Sequence, residues 1–135
     1  MSTTALARLR RHCLALPQAH EVLAWGEPTF RVRNKQFAMY AGPHHGAGRR
    51  SVWCKATPAN QALLLAARPA LYFKPAYVGG AGWIGVWLDV PGAWRVLPAL
   101  LEDGYRLVAP KRLRAVPEPA PPPRPRRGRR PSSSE

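Results

Sequence analysis

The sequence predicts an α+β domain, a single antiparallel sheet with helices packed on one face. Three observations carry that expectation. Apolar residues recur at helical spacing near residue 10 and again near residue 100, and between them apolar residues alternate with polar or aromatic ones in strand period. The chain has 135 residues, of which the last two dozen or so are too polar and proline-rich to fold. That leaves one core of roughly 110 residues and no second one.

Thr3 or Thr4 can cap a first helix, in which Leu6, Leu9, Cys13 and Leu16 form an apolar stripe with Arg8 and Arg11 outside it. Pro17 follows its end. Residues 18–27 read as a loop or one short turn, and Trp25, Gly26, Glu27 and Pro28 punctuate the approach to the first strand. Residues 29–33 alternate Phe30 and Val32 against Thr29, Arg31 and Arg33. After a two-residue turn at Asn34 and Lys35 the pattern resumes, with Phe37 and Met39 on one face and Ala38 and Tyr40 on the other.

Residues 42–50 form a loop by composition, with His44, His45, Arg49 and Arg50 near its tip, and residues 51–55 return as a third strand. Thr57 and Pro58 open a second helix, a hydroxyl cap followed by a proline at the first helical position, that runs over 59–68 and stops at Pro69. Residues 71–73 are a short fourth strand. A glycine-rich loop follows, with Gly79, Gly80 and Gly82, and leads into a fifth strand over 83–89. Trp94, Leu97 and Leu101 mark a last helix within 91–103. Pro98 predicts a kink or a late start, and Gly104 a stop.

From residue 117 the chain reads PEPAPPPRPRRGRRPSSSE, which cannot bury enough apolar surface to offset its ordering entropy. The expected organisation is a folded domain over 1–113 and a disordered basic tail over 114–135.

The formal charge is +14, with 13 Lys and Arg against 5 Asp and Glu before Lys111 and 8 against 2 from there on. Domain and tail are both basic, so polyanions are attracted and nucleic acid is the expected class of partner. No apolar run approaches the roughly 18 residues of a membrane span, and arginines interrupt the N-terminal leucines. A soluble, monomeric, cytoplasmic protein is expected.

The sites that chemistry would need are sparse. Two cysteines, Cys13 and Cys54, are too few for a disulfide framework, and neither has a zinc-type partner beyond the neighbouring His12 and Cys13. His44 and His45 are adjacent in a loop with no carboxylate nearby, which does not suit a metal. The spacing G-G-x-G is neither a dinucleotide fingerprint nor a phosphate-binding loop. The five carboxylates of the domain are scattered, which disfavours paired-carboxylate catalysis and cation binding. No enzyme activity, cofactor or metal is expected.

Two stretches suit nucleic acid better. On a sheet whose inward set is Phe30, Val32, Phe37, Met39, Val52 and Cys54, the outward set is Arg31, Arg33, Tyr40, Trp53 and Lys55. Cations there can hold phosphates and rings can stack bases, at roughly 1–3 kcal/mol per base. In the tail, Arg126, Arg127, Gly128, Arg129 and Arg130 between Pro125 and Pro131 resemble an AT-hook, with Arg127-Gly128-Arg129 at its centre. Arg130 displaces the closing proline from the hook pattern, so only backbone attraction carries over.

The combination of Leu16-Pro17, Glu21, Trp25-Gly26-Glu27-Pro28-Thr29-Phe30, Lys35-x-Phe37-Ala38, Trp53-x-Lys55, Pro75-x-Tyr77-Val78-Gly79, Gly82-Trp83-Ile84-Gly85-Val86, Leu88-Asp89 and Tyr105-Arg106 resembles the MmcQ/YjbR-like proteins over about residues 5–113. That resemblance implies a frataxin-like α+β arrangement with a double-wing feature connected with DNA binding. It supplies no catalytic residues to carry over. The frataxin-like arrangement also raises iron binding, against which the shortage of carboxylates argues.

The expected function is DNA binding, with the glycine loop over 75–82 and the His44-containing loop as wings. Arg31, Arg33, Arg49, Arg50, Lys55 and Lys74 would contact phosphates, Tyr77 and Trp83 would stand around the glycine loop, and the tail arginines would add a tethered second contact. The alternative is a non-enzymatic protein-interaction or small-ligand module in which Trp53, Trp83 and Tyr77 line an apolar groove. A pocket beneath the glycine loop, with the basic residues dispersed elsewhere, would favour it.

Overall fold

The computed structural model describes residues 4–43 and 48–113; His44, His45 and the tail arginines lie outside the described residues. One antiparallel sheet carries three helices, as the sequence predicts; it has six strands where the sequence pattern gives five. The strands are β1 (Ala19–Ala24), β2 (Glu27–Val32), β3 (Lys35–Ala41), β4 (Ser51–Cys54), β5 (Tyr72–Phe73) and β6 (Ile84–Trp87), in the spatial order β1-β2-β3-β4-β6-β5.

Helix α1 (Ala5–Leu14) starts at Thr4, whose Oγ1 accepts a hydrogen bond from the Ala7 N–H at 3.0 Å. Helix α2 (Pro58–Ala67) is capped the same way by Thr57, with Pro58 in the first turn where no N–H partner is needed. Helix α3 (Ala93–Val108) is longer than predicted. It runs through Pro98, which offers no N–H to the Trp94 carbonyl, and on through Gly104. Gly104 is a packing residue and not a stop: a methyl group there would lie 3.0 Å from the Lys55 carbonyl oxygen and 3.1 Å from that of Phe37. A bare backbone lets the helix press against the sheet at that point.

Leu9 and Cys13 of α1, with Leu97, Leu101 and Tyr105 of α3, pack against Phe30, Val32, Phe37, Val52, Cys54, Ile84 and Val86 of the sheet. Tyr105 is fully buried, sits edge-on to Phe37 with ring centroids 5.6 Å apart, and donates its hydroxyl to the Pro17 carbonyl at 2.7 Å. Arg10 clamps α1 to β1 by a two-pronged pair with Glu21, at 2.8 and 2.9 Å.

Three local expectations are corrected. Residues 19–24 are strand β1, paired with β2 from Ala19 opposite Val32 to Ala24 opposite Glu27. The β2–β3 turn is Arg33 and Asn34, both at positive φ, one residue earlier than predicted. Most consequential is β3. Arg31 pairs with Gln36 while Phe30 pairs with Ala38, so Phe37 is an extra, bulged residue. The bulge shifts the alternation by one. Phe37, Ala38 and Tyr40 face the helices, whereas Met39 and Ala41 join Trp53 and Trp83 on the opposite side, reversing the expected places of Met39 and Tyr40.

An aromatic-rimmed cleft on the open sheet face

The face without α1 and α3 is floored by Met39, Ala41, Trp53 and Trp83, with Phe73 and Val78 packed against them. Much of that cover comes from residues 74–83, the glycine-rich loop between β5 and β6. The loop is fixed from below: Gln61 of α2, buried, donates from Nε2 to the Gly79 carbonyl at 2.9 Å and to the Trp83 carbonyl at 2.6 Å. Gly82 closes the Gly79–Ala81 turn with φ 101°, a conformation that favours glycine.

Beside this cover a cleft of about 520 Å³ remains, lined by Ala24, Trp25, Thr29, Arg31, Gln36, Met39, Trp53, Tyr77 and Val78. Trp25 reaches it from the β1 side and Tyr77 and Val78 from the β5 side. Trp25 stands with Gly26 in the two-residue β1–β2 turn, and its φ of 55° keeps the side chain at the tip. Tyr77 has φ 65° in the glycine loop. Their relative exposures are 91% and 94%, so two large rings that could have joined the core are presented to solvent instead.

Arg31 supplies the charge. Its Nε donates to Thr29 Oγ1 at 3.2 Å and its Nη1 to Asn34 Oδ1 at 3.3 Å, while Thr29 donates to the Val22 carbonyl at 2.6 Å. The guanidinium is thus oriented by neutral acceptors, with Nη2 unengaged among the described residues. Arg49 differs. It lies over the Trp87 ring at 4.0 Å and makes a two-pronged pair with Asp89 at 2.8 and 2.7 Å; that hydrogen bond holds the Asp89 carboxyl below its ordinary pKa and raises that of Arg49. Trp87 in turn stacks on Phe73, centroids 4.0 Å apart.

The predicted phosphate contacts therefore do not converge. Arg31 lies in the cleft, Arg33 is exposed at the β2–β3 turn, Arg50 is exposed ahead of β4, and Lys74 is exposed at the root of the glycine loop. Lys55 is on the other side of the sheet from Trp53's neighbours: past the end of β4 it leaves the strand alternation and lines a groove with Asn60 and Leu63 of α2 and Leu100, Asp103 and Leu107 of α3. Tyr40, placed on the outer face by simple alternation, packs against the helix-side core because of the bulge. Trp83 is 5% exposed and supports the loop from beneath, while Trp53 and Tyr77 do meet in the cleft. Trp25, Gln36 and Met39 were not singled out. Trp25 carried one signal, a large ring directly before a turn glycine.

Both thiols are buried, and burial pushes Cys54 up to about 12 and Cys13 higher still, so both are protonated near neutral pH. Among the described residues no group of three His, Cys, Asp or Glu could hold a metal ion, and no helix is long and apolar enough to cross a membrane.

A crystal structure of a Deinococcus radiodurans protein, described as a DUF419 domain, is similar to this chain with a TM-score of 0.66 and 24% identity over 81% of this chain and 84% of that one, which speaks to the fold. No curated protein matches the chain. The YjbR family model matches residues 14–107, from the end of the first helix through nearly all of the last, and the chain belongs to the YjbR family.

Proposed function

We propose that this YjbR-family protein is a non-enzymatic binding protein that takes a flat, ring-bearing group in the cleft on its open sheet face. The observation that carries this reading is the pair Trp25 and Tyr77. Non-glycine residues at left-handed φ cost on the order of 1–3 kcal/mol each and gather at ligand sites. Here both hold a solvent-exposed aromatic ring at the rim of the same cleft. The volume is in the range of small-molecule sites, the floor is apolar, and a few polar groups stand at the wall.

The test is a ligand-observed NMR screen of flat aromatic acids against the full chain and its Trp25→Ala and Tyr77→Ala variants. Saturable binding that both variants lose, with unfolding free energy changed by less than about 0.5 kcal/mol, is the expected result. Absence of saturable binding to the unaltered chain would overturn the reading.

A second reading is duplex DNA binding through phosphates. It is supported by the charge of +14 and by Arg33, Arg50 and Lys74, exposed and without a carboxylate partner among the described residues. On that reading the tail arginines add a tethered contact. Affinity for duplex that falls steeply with salt supports it. No affinity even at low salt removes it.

A further inference from the structure

We infer that the flat group is an unpaired nucleobase carrying its phosphate, an inference that rests on the cleft reading above. The rims give the first reason. Trp25 and Tyr77 offer ring faces, and stacking on exposed aromatic side chains accepts any base because every base has a π-face. A base inside a duplex has both faces covered by its neighbours, so only an unpaired one can enter.

The second reason is the state of Arg31. Arg10 and Arg49 each have a carboxylate that occupies two guanidinium nitrogens. Arg31 has only the neutral Thr29 and Asn34 oxygens, which fix the plane of the group without cancelling its charge. A planar guanidinium held in that way is set to receive the oxygens of an anion such as phosphate. No acidic side chain lines the cleft, so an anion meets no like charge there.

The third reason is Gln36. Arg31 and Gln36 are paired across β2 and β3, so their side chains rise on one face, and the Gln36 amide has no hydrogen-bond partner among the described residues. A primary amide carries an acceptor and two donors side by side, the complement of a base edge. Rings for the faces, an amide for the edge and a guanidinium for the phosphate are the three chemistries that one nucleotide presents. An aromatic acid without ring heteroatoms would use only two of them.

The chemistry is shared by a free nucleotide and by a single-stranded nucleic acid, and the assay separates them. Fluorescence anisotropy of a labelled short oligothymidylate is measured with the full chain, with thymidine monophosphate and the corresponding duplex as competitors. Trp25→Ala, Trp25→Phe and Arg31→Gln are measured alongside; all keep the arginine tail, so its nonspecific attraction is constant across the set. The expected result is about tenfold or more weaker single-strand binding for Trp25→Ala, recovery in Trp25→Phe, and a salt slope lower by about one for Arg31→Gln. Competition by thymidine monophosphate at comparable concentrations points to a free nucleotide as the source; weak competition by it, with the variant effects intact, points to a strand.

Single-strand binding that all three variants leave unchanged, or that duplex competes away equally in every variant, overturns the inference. The flat-acid screen then decides what else fails. If those acids still bind in a Trp25-dependent way, the cleft reading stands and only the nucleobase is wrong; if they do not, both fall.

Discussion

The two faces of the sheet are made by the same strands and do opposite things with their large side chains. On the helix-covered face Phe30, Phe37 and Tyr105 are fully enclosed, and the tyrosine hydroxyl is matched by the Pro17 carbonyl. On the open face Trp53 and Trp83 are enclosed while Trp25 and Tyr77 are left in solvent, each at a backbone conformation it does not favour. Rings on the first face lower the free energy of the fold. Rings at the rim of the second contribute little to it, which leaves them available to something else. The same contrast separates Arg31 from Arg49, two arginines associated with the open face, one with an unengaged nitrogen and one locked to Asp89.

The comparison is most severely tested from the covered side. Phe37→Ala removes a buried ring from the bulge and its edge contact with Tyr105, and is expected to cost about 3–5 kcal/mol in denaturant unfolding. It should also disturb Met39, because the bulge that Phe37 forms determines which way Met39 points. A cost below about 1 kcal/mol would mean that the bulge is not held by this ring.

Gln61→Ala tests the join between the faces. It leaves the buried Trp83 carbonyl without the Gln61 amide and the Gly79 carbonyl with only the Gly82 N–H, and is expected to cost about 1–3 kcal/mol. Hydrogen exchange should quicken at residues 74–83 before it does in α3, since the loop loses its anchor while the helix keeps its core. Uniform quickening would show that loop and core open as one unit.

The smallest effect is expected at Asp89. Its folded pKa is lowered by Arg49, so the pair's contribution is present above the unfolded value of about 3.9 and is lost as pH falls through the folded one. A slight acid destabilisation below about pH 4, reduced in Asp89→Asn and by added salt, is the expected pattern. Both groups are exposed, so the change should be small.

Local signals made several elements legible in advance. Thr57 and Pro58 mark the start of α2 by cap chemistry alone, and Leu9, Cys13, Leu97 and Leu101 mark inward helix faces by spacing. Strand β1 was missed for a physical reason: it is an edge strand with no fully buried residue, Leu23 is 71% exposed, and its period therefore leaves no apolar trace. Gly104 was misread because a glycine that ends a helix and one that admits a neighbouring backbone look alike in one dimension. The cleft was legible only in part. Trp53 and Tyr77 stood out as aromatics, but their meeting with Trp25, Arg31 and Gln36 depends on strand order and on the bulge, which no local pattern encodes.

The bulge at Phe37 also bears on how relatives of this chain should be compared. It acts as a frame marker: Phe37 and Ala38 share one place in the alternation, both facing the helices, so one residue fewer there would return β3 to strict alternation with Met39 and Ala41 still on the open face. A relative lacking that residue would be one residue shorter in β3 and still carry the same floor under its cleft. Gaps between distant family members belong at position 37, because a gap placed elsewhere in β3 would assign residues to the wrong face and misread the floor of the cleft.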